Sequence, residues 1–230
     1  MLRDVSVLWS VPPDDRAAHH QSTVMRRLRV FTLTAAKPAL DRVAHVACLT
    51  AAEVGWRQAE GLASDDEVAA SVEALRAAWE EGIQTASHHY NAPDEVWALP
   101  RLVNVLVLVA SQPDIAARQL IVPQPMTYPG QPVPLLTPEE TRDCCWLLRE
   151  IFGAGGRLLT SPWWESAWRT GTAVTLAHRM YESLDFGAMP ILADALQDAG
   201  CDNDDILNHC RGDGPHVRGC WVVDLVLGKA

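Results

Sequence analysis

"TPEETRDCCWLLREIFG", residues 137–153, decides the fold class of this chain. Thr137 stands where an N-cap accepts a backbone N–H, and Pro138 follows at the first helical position, where its missing N–H costs nothing. Glu140 sits three residues after the cap and completes a capping box. Leu147, Leu148, Ile151 and Phe152 recur at helical spacing, and Gly153 supplies the stop.

The same punctuation recurs on either side. Downstream, "GTAVTLAHRMYES" and "MPILADALQDAG" read as short helices, the second with Pro190 in its first turn and Gly200 at its end. "DNDDILNHCRG" is capped by Asp202 or Asn203 and closed by Gly212. "GPHVRGCWVVDLVLG" reads as the last helix, with Pro215 at its start. Upstream, Ser64 and Glu67 form a second capping box, and Val68, Val72, Leu75 and Trp79 then follow a helical face. "LVNVLVLVA" (102–110) suits a buried helix or a buried strand, and its helical neighbours favour the helix. "STVMRRLRVFTLTAA" (22–36) places Val24, Leu28 and Phe31 on one face, and Arg26, Arg27 and Arg29 on a solvated basic side. Pro38 is expected to break this helix, and residues 38–63 to form one helix or two. Residues 1–20 read as irregular.

No period-2 strand pair and no Asn-Gly hairpin is legible. The expected class is all-α, an array of short helices in two parts. Residues 1–122 form an N-terminal helical part, 123–136 a proline-rich linker with five prolines, and 137–230 a C-terminal helical module.

Composition bounds the function. The chain has 230 residues, enough to bury a core without disulfide staples, and a formal charge of −10. That acidic balance disfavours nucleic acid as a partner. The start of the sequence lacks the pattern of a secretory signal, and no apolar run is long enough to span a bilayer, so a cytoplasmic location and no membrane partner are expected. Six cysteines in such a setting are buried thiols or metal ligands rather than disulfides.

The second half, with "LLREIFG" and "PILADALQDAGCDNDDILNHCRGDGPHVRGCWVVDLVLGK", resembles a family of uncharacterised planctomycete helical proteins whose C-terminal module ends in "HVRGCWVVDLLLGK". In the first half, "RRLRVFTLTAA" and "AEGLASDDEVAA" are similar to that family's corresponding motifs. This chain has Thr32, Thr34 and Ala35 where the family often has cysteines, so a site using those thiols is absent here. The resemblance implies the domain arrangement and a bacterial cytoplasm, and it lends no activity.

The chemistry-bearing residues crowd into "CDNDDILNHCRGDGPHVRGCW" (201–221). Cys201, Cys210, His216 and Cys220, with His209 as a substitute for Cys210, could furnish the four nitrogen and sulfur ligands of a structural zinc. On a shared helix His216 and Cys220 would lie on one face. Cys220 with His216 could also be a nucleophile and its base, but no oxyanion hole is legible. "GDGPHVRG" lacks the Lys-Ser/Thr of a P-loop and reads as a tight turn. Asp202, Asp204 and Asp205 lack the glycine and terminal glutamate of a calcium loop and read as capping acids. His88 and His89, adjacent on a helix end, would diverge by about 100° and chelate nothing together. Trp163, Trp164 and Trp168 either plug the core or mark a partner surface.

The first functional expectation is therefore a non-catalytic protein-interaction or scaffolding module with an unidentified protein partner and no cofactor. The second is a zinc-binding protein built on the Cys/His cluster, and the third a Cys/His hydrolase.

Overall fold

A computed structural model describes residues 15–87, 97–121, 135–153 and 164–229. The described residues form ten α-helices and one short 3-10 turn, and no strand. The helices are α1 (Asp15–Val43), α2 (Val46–Ala59), α3 (Asp65–Ser87), α4 (Ala98–Ser111), α5 (Pro113–Ile121), α6 (Pro138–Phe152), α7 (Gly171–Ser183), α8 (Met189–Asp198), α9 (Asp204–Arg211) and α10 (Trp221–Leu227). The all-α expectation holds. Most of the segment assigned to the linker, and His88, His89 and Trp163, lie outside the described residues.

The caps hold the helices where the sequence puts them. Thr137 accepts from the Glu140 N–H while the Glu140 side chain accepts from the Thr137 N–H, so two orphan donors are satisfied at once. Ser64 and Glu67 repeat the arrangement. Asn203, rather than Asp202, caps α9 by accepting from the N–H groups of Asp205 and Ile206.

Three expectations are corrected. Helix α1 starts at Asp15, inside the stretch read as irregular, and runs through Pro38 to Val43. A proline inside a helix costs roughly 3 kcal/mol. Here Ala35 and Ala36 before it and Ala39 and Leu40 after it are all buried in one core, and that shared burial holds the helix together across the proline. The break comes instead at Ala44, whose φ of 48° ends α1, and at His45, which caps α2.

The last helix is shorter than expected. Residues 214–220 form a turn rather than the first turns of α10. Gly219 decides this. Its φ is +93°, and a Cβ there would lie 2.4 Å from Cγ1 of Val30 on α1. Only glycine fits both the backbone and the close approach.

The arginines of α1 are the third correction. Arg27 is 1% exposed. Arg29 donates to the carbonyls of Val109 and Ala110 at the end of α4. Arg26 is drawn inward by Asp224. The face read as solvated and basic is packed against the rest of the protein, because α1 is a central helix with α2, α4, α5 and α6 around it.

Two apolar clusters result. The first joins α1–α5 and includes Leu136, Cys144, Leu147 and Ile151, so α6 contributes its buried side chains there. The second joins α7–α10 with Trp168, Cys201, Cys210 and Cys220. Trp168 stacks edge-on against Trp164 and fills the second cluster, as the core-plug alternative expects.

Between the clusters runs a polar seam. Arg26 Nη1 donates to Oδ2 of the fully buried Asp224 at 2.5 Å, and Arg26 Nη2 donates to Glu60 at 3.1 Å and to the Tyr181 hydroxyl at 3.0 Å. Tyr181 and Lys229 both donate to Glu60. The Lys229 ammonium lies 4.3 Å from the centre of the Tyr181 ring, and the Arg218 guanidinium 5.1 Å from it. The seam thus ties α1 and α2 to α7 and α10.

Candidate metal centre

The second half of the seam is built around Glu150. This carboxylate lies in the last turn of α6, between the core residues Leu147 and Ile151, and is 3% exposed. Three side chains of the C-terminal segment meet it. His216, from the turn before α10, puts Nδ1 3.0 Å from Glu150 Oε1. His209, in the last turn of α9, puts Nε2 3.4 Å from Glu150 Oε2. The same Nε2 lies 3.2 Å from Sγ of Cys220, the N-cap residue just before α10. The two imidazoles meet edge to face at 5.0 Å, and Trp221 lies against His209.

One ligand atom from each of Glu150, His209, His216 and Cys220 falls within 4.8 Å of all the others. A tetrahedral zinc with ligands near 2.0–2.3 Å has donor–donor edges of about 3.3–3.7 Å, so a modest contraction brings the four atoms onto one ion. This buried group could hold a metal ion.

Burial sets the protonation of two of its four groups. Burial pushes the Cys220 thiol well above its ordinary range, and the neighbouring Glu150 adds to the rise. Burial also lowers His209, with Glu150 opposing, so this imidazole is neutral near pH 7, the form that ligates. Nε2 of His216 is buried without a hydrogen-bond partner. A divalent ion would be neutralised by one thiolate and one carboxylate.

The sequence-derived ligand set is only partly assembled. His216, Cys220 and the substitute His209 converge, whereas Cys201 and Cys210 are not among the four grouped residues. Both are buried in the second apolar cluster, and burial raises the Cys210 thiol to about 12. They behave as small hydrophobes. His216 and Cys220 meet through the Gly219 turn rather than along a helix face. The member of the group that the sequence reading missed is Glu150. Its signal was a carboxylate on the apolar stripe of an amphipathic helix, where an unpaired charge is costly.

The other candidates resolve more simply. Arg218 in the "GDGPHVRG" turn donates to the Tyr181 carbonyl and stacks near Trp56 and Tyr181, so its guanidinium is engaged in the seam. Asp202, Asp204 and Asp205 line a shallow acidic pocket with Glu165, Asn203 and Trp168. His178 is exposed on α7, and of the consecutive cysteines Cys144 is buried and Cys145 exposed. No helix among the described residues is long and apolar enough to cross a membrane. Comparison of the chain with protein-family models, with curated proteins and with solved structures returns no match.

Proposed function

We propose that this is a zinc-stabilised helical protein, with a structural ion held by Glu150, His209, His216 and Cys220. One observation carries the reading. A carboxylate, two imidazoles and a thiol converge in the interior, each bringing a polar atom that burial penalises and an ion would satisfy. Four protein ligands close the coordination sphere, which is the pattern of structural rather than catalytic zinc. Cys220 has no exposed surface, which keeps its sulfur from an external substrate and favours this role over a thiol hydrolase.

The ligands say what the ion would do. Glu150 belongs to a helix anchored in the first apolar cluster, and the other three to elements around the second. The ion would staple the two cores beside the Arg26–Asp224 pair. A scaffolding role with a protein partner is compatible with such a staple, since it fixes the relative position of the two cores without using any outer surface.

The test is thermal unfolding of purified protein with excess zinc and with a strong chelator. A site held at a thousandfold excess over its Kd contributes about 4 kcal/mol, so the chelated protein melts several degrees lower. Glu150→Gln should remove most of that difference. Identical melting with zinc and with chelator would refute the proposal.

A further inference from the structure

Helix α3 carries an apolar stripe of Val68, Val72, Leu75 and Trp79, and the core uses only part of it. Leu75 is buried, whereas Trp79 is 40% exposed. Helix α2 beside it is turned in a similar way. Its buried residues Cys48, Ala51, Ala52, Gly55 and Ala59 are all small, while Val46 and Leu49 are 72% and 46% exposed. A helix normally turns its large apolar side chains inward, because each removes more area from water than an alanine does. Here small residues face in, and three large apolar side chains stand on the outside of the pair.

Two ion pairs place those three at one end. Arg57, late in α2, pairs with Glu67 in the first turn of α3 at 2.5 Å. His45, the cap of α2, puts Nε2 3.7 Å from Glu81, late in α3. The two helices therefore run antiparallel, and Val46, Leu49 and Trp79 all fall within four residues of the His45–Glu81 pair. The rim is acidic. Glu53, one turn after Leu49, Glu80, beside Trp79, and Glu81 are all exposed. The cations of α2, α3 and the end of α1 are already engaged: Arg57 with Glu67, Arg76 with Glu73, Lys37 with Asp41 and Arg42 with Glu140.

We propose that the His45 end of the α2–α3 pair is a docking surface for a basic amphipathic helix of a partner protein. Charge decides between occupants. A second copy of this chain would bring its own Glu53, Glu80 and Glu81 against the same acids, and its net charge of −10 would add to the repulsion. A helix with lysines or arginines flanking an apolar stripe meets those acids while the stripe covers Trp79, Leu49 and Val46. The helical form follows from the surface. The described residues offer no strand edge for an extended peptide to join, and the groove between two antiparallel helices accepts the ridge of a third. The surface shares no residue with the candidate metal centre, so it stands or falls independently of the ion.

The probe is a labelled leucine–lysine peptide about 18 residues long, with leucines on one helical face and lysines on the other. Its binding to the full-length protein is followed by fluorescence anisotropy at low and high salt. An acidic counterpart, with glutamate for lysine, and a scrambled peptide of the same composition are the controls. The basic helix should bind saturably, and both controls at least about tenfold more weakly. Trp79→Ala and Leu49→Ala should each weaken binding about tenfold or more, as anchor residues do. Joint replacement Glu53→Gln, Glu80→Gln and Glu81→Gln should weaken it and reduce its salt dependence. If Trp79→Ala does not fold, Leu49→Ala and the glutamine triple decide. No binding of the basic helix, equal binding of the scrambled peptide, or unchanged binding by the folded variants would overturn the proposal. Sedimentation of the protein alone tests the rival occupant: concentration-dependent dimers that disappear in Leu49→Ala would assign this face to a second copy instead.

Discussion

The two polar clusters of the seam are built on opposite plans. Around Asp224 the charges are matched within the chain: Arg26 and Lys229 against Glu60 and Asp224, with Tyr181 bridging them. Around Glu150 they are not. There one carboxylate meets two imidazoles and a thiol, and no lysine or arginine is among the four side chains that group together. In the first cluster each carboxylate is met by a cation. The second could hold an ion. Burial alone therefore does not announce a ligand site. The sign of what is left unpaired does.

The largest expected effect breaks the matched cluster. Asp224→Asn removes the buried carboxylate that pairs with Arg26, and removal of one partner of a buried pair costs about 3–5 kcal/mol. Urea unfolding of the zinc-loaded protein measures it, and a loss below about 1 kcal/mol would mean the seam is solvated.

A smaller effect probes the point where the clusters touch. Gly219→Ala puts a Cβ at a φ of +93° and against Val30, and backbone strain with overpacking should cost about 2–4 kcal/mol. The double variant with Val30→Ala should recover the steric part but not the strain, so a cycle of the four proteins separates them.

The smallest effect is a pH dependence to which the matched cluster contributes. Burial would raise Glu60, but the hydrogen bonds from Lys229 and Tyr181 and the charge of Arg26 outweigh it, and the carboxylate is held below its ordinary value of 4.5. A depressed folded value means stability that is present above pH 4.5 and lost as the pH falls through the folded value. Glu60→Gln should flatten that acid limb. An unchanged limb would show that other carboxylates carry it.

Much of the fold was legible, and the reasons are local. Thr137 with Glu140 and Ser64 with Glu67 are complete capping signals within four residues, and the structure uses both as read. What escaped was set by partners distant in sequence. Pro38 is tolerated because both sides of it enter one core, and the Gly219 turn exists because Val30 presses against it from 189 positions away. Arg27, Glu150 and Asp224 share one signature. Each is a charge lying on an otherwise apolar stripe, beside Val30 and Phe31, Leu147 and Ile151, or Val223 and Leu225. The sequence showed all three positions, but a face reading assigns a charge to solvent unless its partner is known. For the candidate centre, His209, His216 and Cys220 were visible as a cluster. Glu150 was not, because it lies 59 residues before the nearest of them.

The most direct measurement is zinc K-edge X-ray absorption of protein purified without chelator, with metal content determined on the same sample. The proposed ligand set predicts about one zinc per chain, with one sulfur near 2.3 Å and three nitrogen or oxygen ligands near 2.0 Å. A shell of three sulfurs would instead restore Cys201 and Cys210 as ligands, and a metal content below about 0.2 per chain would contradict a metal centre altogether.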